Sequence, residues 1–179
     1  MAASADEIEI RPLRPEDDRS DFRCGEPDLD RFFEHYAGQS QFKLRLTVTY
    51  VATVGEKIVG FATVTGATLD RAAFPSAKLR KRLPAYPVPV LRLARLGVDL
   101  RAQGQGVGQA LAAHVLGLAL HQREAIGCLG VVVDAKPASV GFYARLGFVD
   151  LDVPREGQLV GDPRPMFLSI ETLSRAVGR

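Results

Sequence analysis

One stretch constrains this chain more than any other. Leu96-Gly-Val-Asp-Leu-Arg-Ala-Gln-Gly-Gln-Gly-Val-Gly108 runs from a strand-like segment directly into a helical one. Gly104, Gly106 and Gly108 remove side chains that would keep a ligand away from the backbone. A helix starting near Gly106 leaves its first-turn N–H groups unpaired, at the positive end of its dipole. Loop and helix start together suit a phosphate or pyrophosphate. A P-loop would need Gly-Lys-Ser/Thr at the helix start, where this chain has Gly106-Val107-Gly108. The Gly-x-Gly-x-x-Gly dinucleotide spacing is not met either.

The surrounding pattern is that of a mixed sheet with helices packed on it. Ile8 to Leu13 reads as a first strand, and Asp28 opens a helix with Leu29, Phe32, Phe33 and Tyr36 on one side. Leu44 to Val54 and Lys57 to Leu69, joined at Gly55-Glu56, read as a hairpin. Asp70 to Pro89 is a loop or short helix that cannot stay helical through Pro84, Pro87 and Pro89. Then follow a strand Val90–Asp99, a helix Gly106–Glu124, a strand Leu129–Asp134 and a helix Lys136–Leu146. Strands Phe148–Val153 and Met166–Ile170 close the chain. This order predicts one α/β domain over residues 1–179.

Other classes are disfavoured. No apolar run approaches the ~20 residues of a membrane span, and the acidic N-terminus lacks the features of a signal peptide. Cys24 and Cys128 fit neither a disulfide framework nor a metal-ligand spacing. With His35, His114 and His121 scattered, no metal is expected, and the chain reads as cytoplasmic. Net charge is only +2. Yet Lys78 to Arg101 carries seven basic residues against Asp99 alone. Such a segment suits either a polyanion or a solvated loop with arginines facing the sheet.

Gln103-Gly-Gln-Gly106-Val-Gly108 follows Gln/Arg-x-x-Gly-x-Gly and resembles the coenzyme A loop of the GNAT superfamily. Gly130-Val-Val-Val-Asp134 followed by Phe142-Tyr143 and Gly147-Phe148 is similar to that family's second cofactor strand and helix. The resemblance implies a mixed α/β GNAT fold: a central, mostly antiparallel twisted sheet with splayed strands, flanked by helices. It implies acetyl-CoA as cosubstrate, held at Leu96, Val98, Gln103, Gly104, Gln105, Gly106, Val107, Gly108 and Ala138. It also implies Tyr143 as the acid that protonates the departing sulfur, with a backbone N–H polarising the carbonyl.

A catalytic base is harder to find, because Val90 to Asp99 contains arginines and no Glu. A lysine amine, with a pKa of about 10.4, is only about a thousandth neutral near pH 7.4, whereas an α-amine is about a quarter neutral. The site therefore favours an α-amine. Phe22-Arg-Cys24-Gly25, Asp28-Leu29-Asp30 and Leu83-Pro-Ala-Tyr-Pro-Val-Pro-Val90 resemble the GNAT toxins of type II toxin–antitoxin pairs, which acetylate aminoacyl-tRNA. That resemblance implies Lys78, Arg80, Lys81, Arg82, Arg92 and Arg95 as tRNA contacts. At least one of the strand arginines, Arg92 or Arg95, is expected in a structural ion pair, with Asp99 a candidate partner. The resemblance further implies a small ribbon-helix-helix antitoxin and a homodimer. Two alternatives stay open: a GNAT enzyme for a small amine or protein N-terminus, and a silent GNAT fold used for binding. His114 reads as structural, Cys24 as packing. Tyr36, Tyr50 and Tyr86 also read as packing, with Tyr86 placed to stack on a base.

Overall fold

The computed structural model describes residues 7–152 and 162–172. Its strands are β1 (Ile8–Pro12), β2 (Val48–Val54), β3 (Lys57–Leu69), β4 (Val88–Val98), β5 (Gly130–Ala135), β6 (Val149–Asp150) and β7 (Arg164–Ser169). Its helices are α1 (Pro27–Arg31), α2 (Ala77–Arg82), α3 (Val107–Ala125) and α4 (Val140–Arg145). The sheet order is β1-β2-β3-β4-β5-β7-β6. Its β1–β2, β2–β3, β5–β7 and β6–β7 pairs are antiparallel. This is the mixed α/β architecture expected from the sequence. The chain divides into two compact units, Met1–Thr65 with Leu93–Gly117, and Gly66–Arg92 with Leu118–Arg179.

In the first unit the hairpin β2–β3 turns at Gly55, whose φ of 61° suits glycine. Pro27 starts α1 at a position where a missing N–H costs nothing. The helix opened at Pro27 does not end at Arg31. It continues through π-helical turns at Phe32–Tyr36 and Gln39–Lys43. Its buried face is Phe32, Phe33, Ala37 and Gln41, while Tyr36 is exposed. Gln41 joins the helix to the sheet by accepting the Thr49 N–H at 2.8 Å. The following strand starts at Val48 rather than Leu44, because Arg45 adopts a φ of 56°. Phe33 stacks on Phe61 with centroids 4.3 Å apart, and Phe22 meets both rings edge-on. Leu13, Cys24, Phe32, Ala37 and Val51 complete this core. On α3, Val107, Leu111 and Val115 are buried at four-residue spacing. Gly60 lets α3 approach β3: a Cβ there would lie 2.7 Å from Val107 and 3.0 Å from Leu111.

In the second unit, Phe74, Val88, Val90, Val132, Leu151 and Phe167 form the core. Ser76 caps α2 by accepting the Leu79 N–H, and α2 ends at Arg82, just ahead of Pro84. The strand expected from Val90 begins two residues earlier and includes Pro89, whose carbonyl accepts the Leu129 N–H. The expected helix Lys136–Leu146 is a 3-10 turn, Pro137–Ser139, followed by α4. The expected strand Phe148–Val153 shrinks to β6, and Val153 lies outside the described residues. Gly130 faces the Leu168 carbonyl and the Phe167 ring so closely that a methyl group has no room. The carbonyl belongs to the β5–β7 ladder and cannot swing aside. Gly130→Ala is expected to lose about 2 kcal/mol of stability in urea titration. An unchanged midpoint would mean that the β5–β7 register shifts to accommodate it.

Candidate active site

The glycine-rich segment leaves β4 through Asp99 and a 3-10 turn at Leu100–Ala102. Gly104 and Gly106 have φ of 79° and 85°, and a Cβ at either would project into open space. Glycine is required there by backbone conformation, and the space beside the loop is free. The first intrahelical bond of α3 runs from the Ala110 N–H to the Gly106 carbonyl at 3.0 Å. The N–H groups of Val107, Gly108 and Gln109 therefore precede the helical ladder. Open space, positive-φ glycines and a helix start of this length fit a pyrophosphate. Leu96 and Val98, expected to hold the pantetheine arm through their backbone, lie half-buried on β4. The Gln103 amide donates to the carbonyls of Cys24 and Val98, both at 3.0 Å. That of Gln105 donates to the Arg101 carbonyl.

Asp99 anchors this loop, a role that the sequence reading missed. Its side chain accepts the Arg101 N–H at 2.9 Å, two Arg101 guanidinium bonds at 2.9 Å and the Arg23 N–H at 3.3 Å. It is 2% exposed. The Arg101 guanidinium holds its carboxyl at about 2, against the upward push of burial. An Asx-type turn two residues before an arginine was a readable signal; the partner at Arg23 was not. Because the folded pKa lies below the unfolded one, this contribution is present above pH ~4 and is lost as pH falls toward 2. Asp99→Asn is expected to cost about 1–2 kcal/mol near neutral pH, allowing for the solvent exposure of Arg101. The gap from wild type should close as thermal melts are repeated from pH 5 down to pH 2. A gap independent of pH would assign the loss to packing.

Tyr143 lies in the second unit, on α4, 5% exposed between Phe142 and Phe148. Burial pushes its phenol up to about 12. Gly147, at φ 100°, ends α4, and the Phe148 N–H returns to the Tyr143 carbonyl at 3.1 Å. Ala138 is exposed on the 3-10 turn before α4.

The six basic candidates separate by environment. Lys78, Lys81 and Arg82 are exposed on α2, and Arg82 makes a surface pair with Glu171 at 3.4 Å. Arg80 donates to the Phe74 and Pro75 carbonyls at 2.6 and 2.8 Å. Arg92 pairs with Asp134 at 2.9 Å, not with Asp99. Arg95, in the first unit, stacks its guanidinium 3.8 Å from the centroid of Phe32. Tyr86 is 69% exposed, so it is no packing residue, and the same holds for Tyr36. Tyr50 packs on His114 at 4.5 Å, and among the described residues the buried His114 Nε2 has no hydrogen-bond partner. Burial pushes the Cys24 thiol up to about 11, which leaves it no nucleophile. Among the described residues no helix is long and apolar enough to cross a membrane, and no cluster of side chains is placed to hold a metal.

Comparison with known proteins places these features in context. Residues 45–150 match the family model of the acetyltransferase (GNAT) domain. A tRNA-acetylating toxin of Mycobacterium tuberculosis (strain ATCC 25618 / H37Rv) is 29% identical over 145 residues, 77% of this chain and 82% of that one. A solved tyrosine-to-phenylalanine mutant of KacT superposes with a TM-score of 0.85 at 25% identity, covering 95% of this chain and 99% of KacT. AtaT complexed with acetyl-methionyl-tRNAfMet gives a TM-score of 0.82 at 26% identity, over 95% of this chain and 99% of that one.

Proposed function

Because this chain belongs to the GNAT acetyltransferase family, we propose that it moves the acetyl group of acetyl-CoA to the α-amine of aminoacyl-tRNA, as a translation-blocking toxin. The observation that carries this reading is an open loop with positive-φ glycines at the end of a strand, β4, that bears no carboxylate. An acceptor that must lose a proton before attack suits such a site only if it is already partly neutral, as an α-amine is. The likeness to a tRNA-acetylating toxin over most of both chains supports the same acceptor.

Bound acetyl-CoA supplies the activated acetyl group. Peptide N–H groups from Gln103 to Gly108 hold its pyrophosphate, and the backbone at Leu96 and Val98 aligns the arm that follows. The Tyr143 phenol, neutral throughout the physiological range, donates a hydrogen bond to the leaving sulfur as charge develops on it. Lys78, Lys81 and Arg82 on α2 meet the phosphates of the RNA acceptor end, and exposed Tyr86 offers a face for a terminal base. A small ribbon-helix-helix antitoxin is the partner that belongs with this activity, and a homodimer is the matching assembly.

The test is acetylation of a pool of charged tRNAs with labelled acetyl-CoA, against deacylated tRNA and free amino acids. Label on charged tRNA alone is the expected result. Equal labelling of free amino acids would direct the reading to a small-amine acetyltransferase. The Lys78→Ala, Lys81→Ala double variant should raise KM for charged tRNA about tenfold at moderate salt and flatten its salt dependence, with kcat kept. An unchanged KM would remove α2 from the RNA surface.

A further inference from the structure

The donor loop does not hold its shape alone. Residues 21–24 run beside it, and bonds join the two segments. The Leu100 N–H donates to the Arg23 carbonyl at 2.8 Å, and the Arg23 N–H returns to Asp99 at 3.3 Å. Arg101 reaches the Asp21 carbonyl and carboxylate at 3.5 Å. The Gln103 amide spans the Cys24 and Val98 carbonyls. On its other side the Cys24 peptide gives its N–H to Asp30 of α1 at 2.8 Å. A continuous chain of bonds thus leads from α1 through Cys24 to the foot of the loop.

We infer that Gln103, with the Asp99–Arg101 pair, is a positioning residue: it clamps the pyrophosphate loop to residues 21–24, so that the loop is shaped before acetyl-CoA arrives. The inference rests on the acetyltransferase reading of the loop. A segment with glycines at 104 and 106 samples many conformations when free. Ordering it during folding removes that cost from ligand binding. Gln103 suits the task because its amide offers two N–H donors, and the two carbonyls belong to separate segments. The side chain is needed for this and does not itself have to touch the ligand.

The experiment compares Gln103→Leu, which removes the donors, with Gln103→Arg, which keeps donors at similar reach. Calorimetric titration with CoA is expected to show about a tenfold rise in Kd for the leucine variant and less than about a twofold change for the arginine variant. S-acetylpantetheine, which lacks the pyrophosphate, separates positioning of the loop from general damage: Gln103→Leu should lower kcat/KM with charged tRNA much less for this truncated donor than for acetyl-CoA, and an equal loss with both donors would overturn the clamp. An unchanged CoA affinity in the leucine variant, or an equal loss of affinity in the leucine and arginine variants, would overturn the clamp. Should Gln103→Leu not fold, Gln103→Glu gives the same reading, since its carboxylate accepts but cannot donate to the carbonyls. Failure of the wild-type chain to bind CoA would instead overturn the acetyltransferase reading and the clamp with it.

Discussion

Replacing Tyr143 with phenylalanine is expected to lower turnover at least about 10²-fold while CoA affinity changes less than about twofold. The phenol is almost wholly buried, and its pKa of about 12 keeps it protonated at any physiological pH. Its ring packs on Phe142 and Phe148, contacts that phenylalanine retains. A thiol titrates near 8.5, well below this phenol. The proton is therefore shared with the departing sulfur as a strong hydrogen bond more than surrendered to it. That sharing strengthens as charge develops on sulfur, which is why the loss falls on kcat. Wild-type kcat should also show no fall assignable to Tyr143 up to about pH 10, because a group raised to about 12 loses its proton only above that range. A variant with normal turnover, measured by thiol release under saturating acetyl-CoA, would take Tyr143 out of the reaction.

Gly106→Asp should weaken CoA binding by about 10³-fold, and Gly106→Asn by far less. The glycine sits at φ 85°, and a side chain there would enter open space. Asn and Asp are the L-residues that best tolerate such a backbone, so both variants should fold with modest strain. They are nearly isosteric and differ in charge. A carboxylate about 4 Å from a phosphate oxygen repels it by about 4 kcal/mol at an intermediate dielectric, which is close to 10³-fold in affinity. Titrating both variants with CoA at low and at 0.5 M salt isolates the charge effect, since salt should narrow the gap between them. Equal affinities would mean that the pyrophosphate does not lie against this loop.

Features that depend on near neighbours could be read from residue order alone. Loop 103–108 was legible because glycine spacing and a helix start act over a few residues, and the structure gives Gly104 and Gly106 their positive φ and starts α3 at Val107. The β2–β3 hairpin and the end of α2 before Pro84 were legible for the same reason. Local pattern did not reveal the π-helical turns that carry α1 on to Lys43, because they depend on how Phe33 and Gln41 meet the sheet. Nor did it reveal which cations are free. Arg92 pairs with Asp134, 42 residues away, and Arg80 folds back on Phe74 and Pro75, so exposure and not charge alone separates Lys78 and Lys81 from their neighbours. Asp99 and Gln103 tell the same story, since their partners at Arg23 and Cys24 lie 76 and 79 residues distant. Backbone conformation follows from the residue and its immediate neighbours. The partner of a polar side chain follows from strand register and packing, which only the folded chain decides.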